Sequence, residues 1–141
     1  MDVLKAPGME KFGNLPGLPT CLTASVQRGD PSKEASVILL KFAPGCVVPW
    51  HWHTPAETVM LVSGHAKVEM QGGKPVVAGP GAYAYMPSKH PHQFTCIGGC
   101  MAFLTSDAGP LDTHYMDKDG KEISAEQALG KPKMMHRAMK K

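Results

Sequence analysis

Short apolar segments separated by turn residues are the feature that most constrains the fold of this chain. Segments such as Ser36–Phe42, Ala66–Met70 and His92–Cys96 have the length and composition of β-strands. About eight or nine of them follow one another at regular spacing, with no long helical repeat between them. Gly 15 and Pro 13 are high counts for 141 residues and favour turns over long helices. The pattern predicts an all-β antiparallel sandwich or barrel.

Three regions of different composition predict the domain organisation. Residues 1–20 are rich in proline and glycine with little periodicity, so we expect an irregular N-terminal arm. Residues 21–115 contain the predicted strands and form the barrel. Residues 116–141 predict a turn, a short helix and a basic tail, with the helix opened by a capping-box pattern from Ser124 to Gln127.

The formal net charge of +3 is distributed unevenly along the chain. Residues 131–141 contain five basic residues and no acidic one, whereas the rest of the chain has ten basic and twelve acidic residues. We interpret the tail as a solvated terminus and predict no nucleic-acid partner. No apolar run approaches the ~20 residues that span a bilayer, so no membrane partner is predicted either. The start lacks the apolar core of a signal peptide, which favours a cytoplasmic protein; a trimmed leader would make it periplasmic or secreted.

Four cysteines, at positions 21, 46, 96 and 100, lack the paired spacing of a zinc site. The Cys96–Cys100 segment contains Gly-Gly and is typical of a hairpin turn, so the strand-like residues 92–96 are predicted to pair with residues 100–105. That pairing would place Cys96 opposite Cys100, where a disulfide is sterically possible. Free thiols are the favoured state.

The chain contains a compact set of candidate metal ligands at His51, His53 and Glu57. Residues two apart in a strand point to the same face, so the two imidazoles are predicted to project side by side. A Thr-Pro-Ala turn follows, and Glu57 begins the next apolar run, where its carboxylate can meet both rings. This donor set suits a divalent transition metal: Mn, Fe, Co, Ni, Cu or Zn.

These residues resemble the first signature of the cupin superfamily, which is Gly, five residues, His-x-His, three or four residues, Glu, six residues, Gly. The sequence has Gly45, His51, His53, Glu57 and Gly64 at the fixed positions. The second signature, Gly, five residues, Pro-x-Gly, two residues, His, three residues, Asn, is matched in part. The matching residues are Gly81, Pro87 and His92. The sequence departs from the signature at two positions, with Lys89 in place of the glycine and Cys96 in place of the asparagine.

The resemblance implies a small antiparallel double-stranded β-helix, or jelly-roll barrel, holding one divalent metal. By the register of the signature, His92 is the third histidine ligand, and His90 in the same loop is its rival. Lys89 stands where a turn requiring positive φ would favour glycine. The metal ligands implied are His51, His53, Glu57 and His92.

Side chains that alternate with the ligands predict the lining of a pocket. Val59, Leu61 and Phe94 would provide apolar walls, and Tyr83 or Tyr85 a polar group. His65 and His114 fall outside the pattern and are interpreted as surface residues.

Three functions compete. The favoured one is a metalloenzyme that binds an oxygen-rich small molecule, with dioxygenase-like chemistry or Lewis-acid lyase or isomerase chemistry, and Glu57 as a base if it is not a ligand. The alternative is a non-catalytic barrel that binds or senses a metal and a small molecule. A structural, storage-like barrel is disfavoured by the complete ligand set. A homodimer is also predicted, because Trp50 and Trp52 would form an apolar outer face and open sheets must cover their edges.

Overall fold

The computed structural model describes residues 4–130, which form eleven β-strands and one short helix. The predicted basic tail at residues 131–141 lies outside the described residues. In chain order the elements are β1 Leu22–Arg28, β2 Ser36–Phe42, β3 Val47–Trp52, β4 Glu57–Ser63, β5 Ala66–Met70, β6 Val76–Ala78, β7 Tyr83–Met86, β8 His92–Cys96, β9 Cys100–Ser106, β10 His114–Met116, β11 Glu122–Ile123 and α1 Ala125–Leu129.

Two antiparallel sheets form the fold. The first has the strand order β1-β2-β9-β4-β7, and the second has the order β11-β10-β3-β8-β5-β6. Successive strands repeatedly change sheet, as in a jelly roll, so the two sheets enclose one core between them. The predicted all-β, antiparallel jelly-roll class is confirmed, and β2, β5 and β8 begin and end at the predicted residues.

Strands β2 and β9 lie side by side in the first sheet, and both contribute buried residues to the core. In β9 every second residue is buried, as expected for a strand with one face toward the core. From β2, Ile38, Leu40 and Phe42 contribute to the same cluster, and Phe94 of β8 meets Phe42 from the second sheet. Burying each large apolar side chain contributes about 1.5–3 kcal/mol, so this contact holds the sheets together.

The predicted hairpin between β8 and β9 is wrong. β8 pairs with β3 and β5 in the second sheet, whereas β9 pairs with β2 and β4 in the first. The Gly-Gly segment between them therefore connects the two sheets instead of turning one strand back on the other. A glycine-rich turn looks the same in the sequence whether it forms a hairpin within one sheet or connects two sheets. Only the pairing of the strands with the rest of the sheet distinguishes the two arrangements.

The expectation of free thiols is also wrong, since all four cysteines are in disulfides, Cys21 with Cys46 and Cys96 with Cys100. The Cα atoms of the two pairs are 5.6 and 5.9 Å apart, within the usual range for a disulfide. The first pair joins the start of β1 to the start of β3. Its sequence separation of 25 residues gave no local signal of proximity.

The chain after Asp107 contributes more to the barrel than the sequence indicated. Strand β10 pairs with β3, opposite His51, and β11 extends the sheet from β10. The predicted short helix is confirmed as α1, with Ser124 as its N-cap and a reciprocal bond from Gln127. At five residues this helix is too short and not apolar enough to cross a membrane, and no other helix is present within residues 4–130.

Candidate metal centre

Strand β3 directs His51 into the barrel through an irregular segment. The pairing of β3 with β8 shifts register between Val48 and His51, so these residues, three apart, are both buried. An irregularity of this kind is a β-bulge, and bulges commonly re-aim side chains beside functional sites. His53 follows the last residue of β3 and is buried too. The two imidazoles therefore lie together, as the spacing predicted.

Glu57 and His92 reach the same point from other strands. Glu57 is the first residue of β4 in the first sheet, and His92 is the first residue of β8, directly opposite His51. His51, His53, Glu57 and His92 are each at most 6% exposed. Polar side chains are seldom buried this fully without partners, so these four side chains require partners in one another or in a bound group.

Three of the side chains, His51, His53 and His92, lie close enough together to share a single ion. One ring nitrogen from each of His51, His53 and His92 lies within 4.8 Å of the other two. The Oε1 atom of Glu57 lies 3.3 Å from Nε2 of His53 and 3.5 Å from Nε2 of His92. His90, the rival of His92, is not in this cluster.

Backbone carbonyl groups fix the orientation of all three rings. Nδ1 of His51 donates to the carbonyl of Pro49 at 2.5 Å, and Nδ1 of His92 donates to that of His90 at 2.9 Å. Nδ1 of His53 donates to the carbonyl of Asp112 at 2.5 Å. A carbonyl oxygen can only accept, so each ring carries a proton on Nδ1. A neutral ring held in this way has its lone pair on Nε2, where it can bind a metal. Histidines that bind metals are held in this way.

Glu57 provides a test of whether a metal fits. Its Oε2 atom is buried and has no hydrogen-bond partner within the described residues. Buried carboxylate oxygens are normally satisfied, and an orphaned one signals a missing ion or water. A divalent cation among three imidazoles and one carboxylate would neutralise this charge. The residues present fit a divalent transition metal, and nitrogen with oxygen donors does not distinguish among Mn, Fe, Ni, Cu and Zn.

The protonation states agree with this interpretation. Burial, together with the neighbouring His92 and His53, lowers the pKa of His51 to about 3, so this ring is neutral at neutral pH. Burial raises the pKa of Glu57, but the charge and hydrogen bond of His53, aided by His92, outweigh burial and lower it to about 2. Burial is the largest single influence on His53 and lowers its pKa, but the charge and hydrogen bond of Glu57 together with the contacts to Asp112 outweigh burial and raise the pKa above its usual value. The carboxylate is thus ionised and faces the rings.

A group of residues behind His53 supports its position. The carboxylate of Asp112 accepts bonds from the backbone N–H of Thr54 at 2.7 Å and from the Thr54 hydroxyl, and it contacts Nε2 of His114 at 2.9 Å. His114 also contacts Glu122 at 2.8 Å and stacks on Trp52 with ring centroids 4.0 Å apart. His114 is therefore not the free surface residue that was expected. Asp112 was missed because nothing in the sequence connects it with a histidine 59 residues away.

A cavity of about 350 Å³ leads to the cluster from the outside. His51, His53, Glu57 and His92 form one side of it. The rest is mostly apolar, with walls from the inner faces of both sheets, from the N-terminal arm and from the segment before β10. Exposed Pro16, Ser32 and Pro110 line the cavity as well, so it opens to solvent between the arm and two loops. The volume is in the range of small-molecule sites.

The structure distributes the predicted pocket residues over several places. Val59 and Phe94 line the cavity with the cluster. Leu61 and Tyr83 line a second cavity of about 240 Å³ between β4, β7 and the β5–β6 hairpin, which Val59 and Phe94 also contact. Tyr85 is 50% exposed and lines neither cavity, and His90 contacts the carbonyl of Gln71 at 3.1 Å. Neither predicted tyrosine meets the cluster, because inward positions on β7 belong to Ala84 and Met86.

The turn before β8 has Lys89 at the position where the cupin signature has glycine. This lysine has φ 60°, the left-handed conformation for which glycine is better suited, and no other non-glycine among the described residues has positive φ. The backbone N–H of Lys89 donates to the carbonyl of His53 at 2.8 Å. The lysine therefore adopts the turn that glycine would, and the turn bonds directly to a residue of the cluster.

The family model for the cupin domain, Cupin_2, matches residues 38–105. This span runs from β2 through most of β9 and includes all four residues of the cluster. It excludes the N-terminal arm and Asp112.

Proteins of known name are similar to parts of the chain. The chain is 38% identical over 82 residues to the dimethylsulfoniopropionate lyase DddQ of Ruegeria pomeroyi. The aligned region covers 58% of this chain and only 41% of the length of that lyase. The solved structure of the Ruegeria lyase aligns at 21% identity over 88% of this chain and 56% of that one, with a TM-score of 0.55. An RmlC-like cupin from Shewanella frigidimarina aligns at 16% identity over 77% of this chain and 93% of that one, with a TM-score of 0.65. These two structures show the shared fold alone.

Proposed function

Residues 38–105 of this chain form a cupin domain, and from that premise we propose that the protein is a metal-dependent lyase acting on a small carboxylate or carbonyl compound. The observation that carries the proposal is the cluster itself, in which three fixed imidazoles and a carboxylate with one unpartnered oxygen open into a cavity. The similarity to a lyase supports elimination over other chemistry.

His51, His53, Glu57 and His92 would hold the metal. When bound, the metal supplies Lewis-acid polarisation of the substrate's oxygen-rich head, which makes an adjacent C–H bond more acidic. The carbonyl groups of Pro49, Asp112 and His90 keep the rings aligned, so little reorganisation is needed on binding.

Glu57 is the one carboxylate among the described residues that line the cavity. Its Oε2 atom accepts the proton from the carbon next to the substrate's carbonyl or carboxyl group. The electrons of the broken C–H bond form the new C=C bond, and the leaving group on the next carbon departs with the electrons of its own bond. Glu57 thus serves as a ligand and as the proton acceptor, which its two inequivalent oxygens allow.

The apolar walls exclude bulk water from the reacting atoms. Leu40, Phe94 and Leu104 line the same cavity as the imidazoles. In such surroundings charges interact more strongly than in water. A substrate is held with its head at the cluster and its body against these side chains.

The test is a chromogenic elimination, with β-(para-nitrophenoxy)propanoate as substrate. Proton removal and C–O cleavage release coloured nitrophenolate and leave acrylate. We expect nitrophenolate release by protein loaded with one equivalent of metal, and its loss in Glu57→Gln with metal still bound. Metal-loaded protein that binds carboxylates but releases no product from any β-substituted carboxylate would contradict the lyase.

Non-catalytic binding is the second candidate. Besides the four cluster residues, only Ser32 and Thr113 among the described residues give the cavity polar side chains, so few of these residues could act as a separate acid. A ligand-induced increase in melting temperature without turnover would support this function. Oxygen uptake with dicarbonyl or phenolic compounds would instead support the dioxygenase-like reaction, which the same ligand set allows.

A homodimer stays a prediction. Trp52 is half-buried against His114, so it offers less apolar outer surface than the sequence suggested. Tyr83 and Met60, opposite each other on β7 and β4, are 67% and 38% exposed at the edge of the first sheet. Light scattering at micromolar concentration distinguishes a dimer from a monomer.

A further inference from the structure

The cavity beside the cluster has a lining that restricts what can enter. We propose that it selects a substrate whose body is uncharged and apolar, joined to one oxygen-rich head, and that it discriminates against sulfonium zwitterions. The inference rests on the proposed metal site, which would bind the head. It would separate this protein from a lyase that acts on dimethylsulfoniopropionate, the substrate in the name of its relative.

The first argument is the absence of charged partners for a substrate's body. Among the described residues that line the cavity there is no lysine, arginine or aspartate, and Glu57 is the single acid. The Oε1 atom of Glu57 lies 3.3 Å from Nε2 of His53 and 3.5 Å from Nε2 of His92, so this oxygen faces the cluster. A charged group elsewhere in the cavity would lose its hydration without gaining an ion pair, which is strongly unfavourable.

The second argument concerns aromatic rings, because a cation without an ion pair can still bind to ring faces. Phe42 and Phe94 are the aromatic carbocycles of the lining. Their rings stack on each other, with centroids 4.6 Å apart and an angle of 29° between the planes. Each ring covers a face of the other, so the two faces do not converge on one point as in a cage for a quaternary cation. No tyrosine or tryptophan is present in the described lining.

The third argument is the chemistry and size of the remaining surface. Leu15, Leu18, Leu22 and Leu111 join the core side chains to give an aliphatic channel from the cluster to the opening. A volume of about 350 Å³ corresponds to roughly a dozen water molecules at liquid density. A body of several carbons therefore fits, and each buried methylene strengthens binding by about fourfold.

The experiment compares two carboxylates of nearly the same shape. Isocaproate and dimethylsulfoniopropionate differ in that a neutral CH replaces the sulfonium sulfur. Their affinities for the full-length protein, loaded with one equivalent of zinc, are measured by titration calorimetry and by ligand-induced change in melting temperature. We expect isocaproate to bind at least about tenfold more tightly, and longer straight-chain carboxylates to bind more tightly still until the cavity is full.

A matched pair of variants tests the cause of the preference. Leu111 lies in the loop before β10, half-buried at the side of the opening, and packs against the core. Leu111→Glu supplies an anionic partner for a cationic body and should narrow the ratio of the two affinities. Leu111→Gln introduces a polar side chain of the same shape without charge and should leave the ratio near that of the wild type. The wild-type comparison stands by itself if either variant fails to fold.

The outcomes separate this inference from the proposed function. Equal or tighter binding of dimethylsulfoniopropionate by the wild type would overturn the inference, as would the absence of binding of both carboxylates to zinc-loaded protein. Preference for isocaproate without elimination of any substrate would support the inference while the lyase fails. Elimination of the nitrophenoxy compound together with tighter binding of dimethylsulfoniopropionate than of isocaproate would support the lyase and overturn the inference.

Discussion

The ring of His53 is held by the backbone carbonyl of Asp112, which accepts a hydrogen bond from Nδ1 at 2.5 Å across 59 residues of sequence. Asp112 is held in turn by its own carboxylate, which accepts two bonds from Thr54 and contacts His114. The segment before β10 is thereby tied to the residue that follows His53. The position of one candidate ligand thus depends on a part of the chain outside the matched cupin domain.

Removing the Asp112 carboxylate should weaken metal binding without removing a ligand. We expect Asp112→Ala to reduce metal affinity about tenfold to a hundredfold, because the loop that presents the carbonyl loses its attachment to Thr54. Competition with a chelator of known affinity measures this. Asp107→Ala, an exposed acid in the same segment, is the control and should keep wild-type affinity. Equal metal affinities in the wild type, Asp112→Ala and Asp107→Ala would show that the loop before β10 holds His53 in place without the Asp112 carboxylate.

His114 should make stability depend on pH. Its hydrogen bond to Glu122, followed by that to Asp112, outweighs burial and raises its pKa above the usual value of 6.5. A histidine with a raised folded pKa contributes stability that is fully present below the unfolded pKa and is lost as pH rises through the folded one. The free energy of unfolding, measured in urea between about pH 6 and about pH 9, should decline in the wild type and decline less in His114→Gln. Identical pH profiles of the two proteins would contradict this, and exposed His65→Gln serves as a control.

The left-handed turn at Lys89 should be improved by the residue that the family signature has there. Lys89→Gly removes a left-handed strain of about 1–2 kcal/mol but increases the entropy of the unfolded chain by about 0.5–1 kcal/mol. We expect a net gain of about 0.5–1 kcal/mol in the free energy of unfolding. Lys74→Gly, a substitution of the same kind at a residue whose own φ is not positive, should lower the free energy of unfolding instead. A loss at both positions would mean that the Lys89 side chain stabilises the turn.

The disulfide between Cys21 and Cys46 should account for a measurable share of stability. It closes a loop with a sequence separation of 25, for which chain entropy predicts about 3 kcal/mol. Replacing both cysteines by serine should lower the free energy of unfolding by about this amount, and a reducing agent should have no further effect at this pair. Free-thiol titration of the wild type is the direct check.

The barrel and the four clustered residues were accessible from the sequence for a physical reason. Strand alternation, tight turns and the spacing of His51, His53 and Glu57 are local properties, so a short window contains them. The register of the second signature chose His92 over His90, and the structure places His92 with the other three.

What the sequence missed depends on contacts between distant residues. The separation of β8 and β9 into two sheets, the pairing of Cys21 with Cys46 and the support of His53 by Asp112 all join segments that the fold alone brings together. Tyr83 and Tyr85 were assigned to the pocket, but strand β7 turns both side chains outward. In the edge strand β7 the sequence showed that side chains alternate between two faces, but it did not show which face points toward the core.

The central claim is that the cluster holds one divalent metal ion, and elemental analysis tests it most directly. The full-length protein is purified without added metal, loaded with a limiting mixture of transition metals and freed of excess ion. We predict about one equivalent per chain in the wild type, in His65→Ala and in His90→Ala, and near zero in the His51→Ala/His53→Ala double variant and in His92→Ala. No bound metal in the wild type, or metal lost in His90→Ala and kept in His92→Ala, would contradict the account.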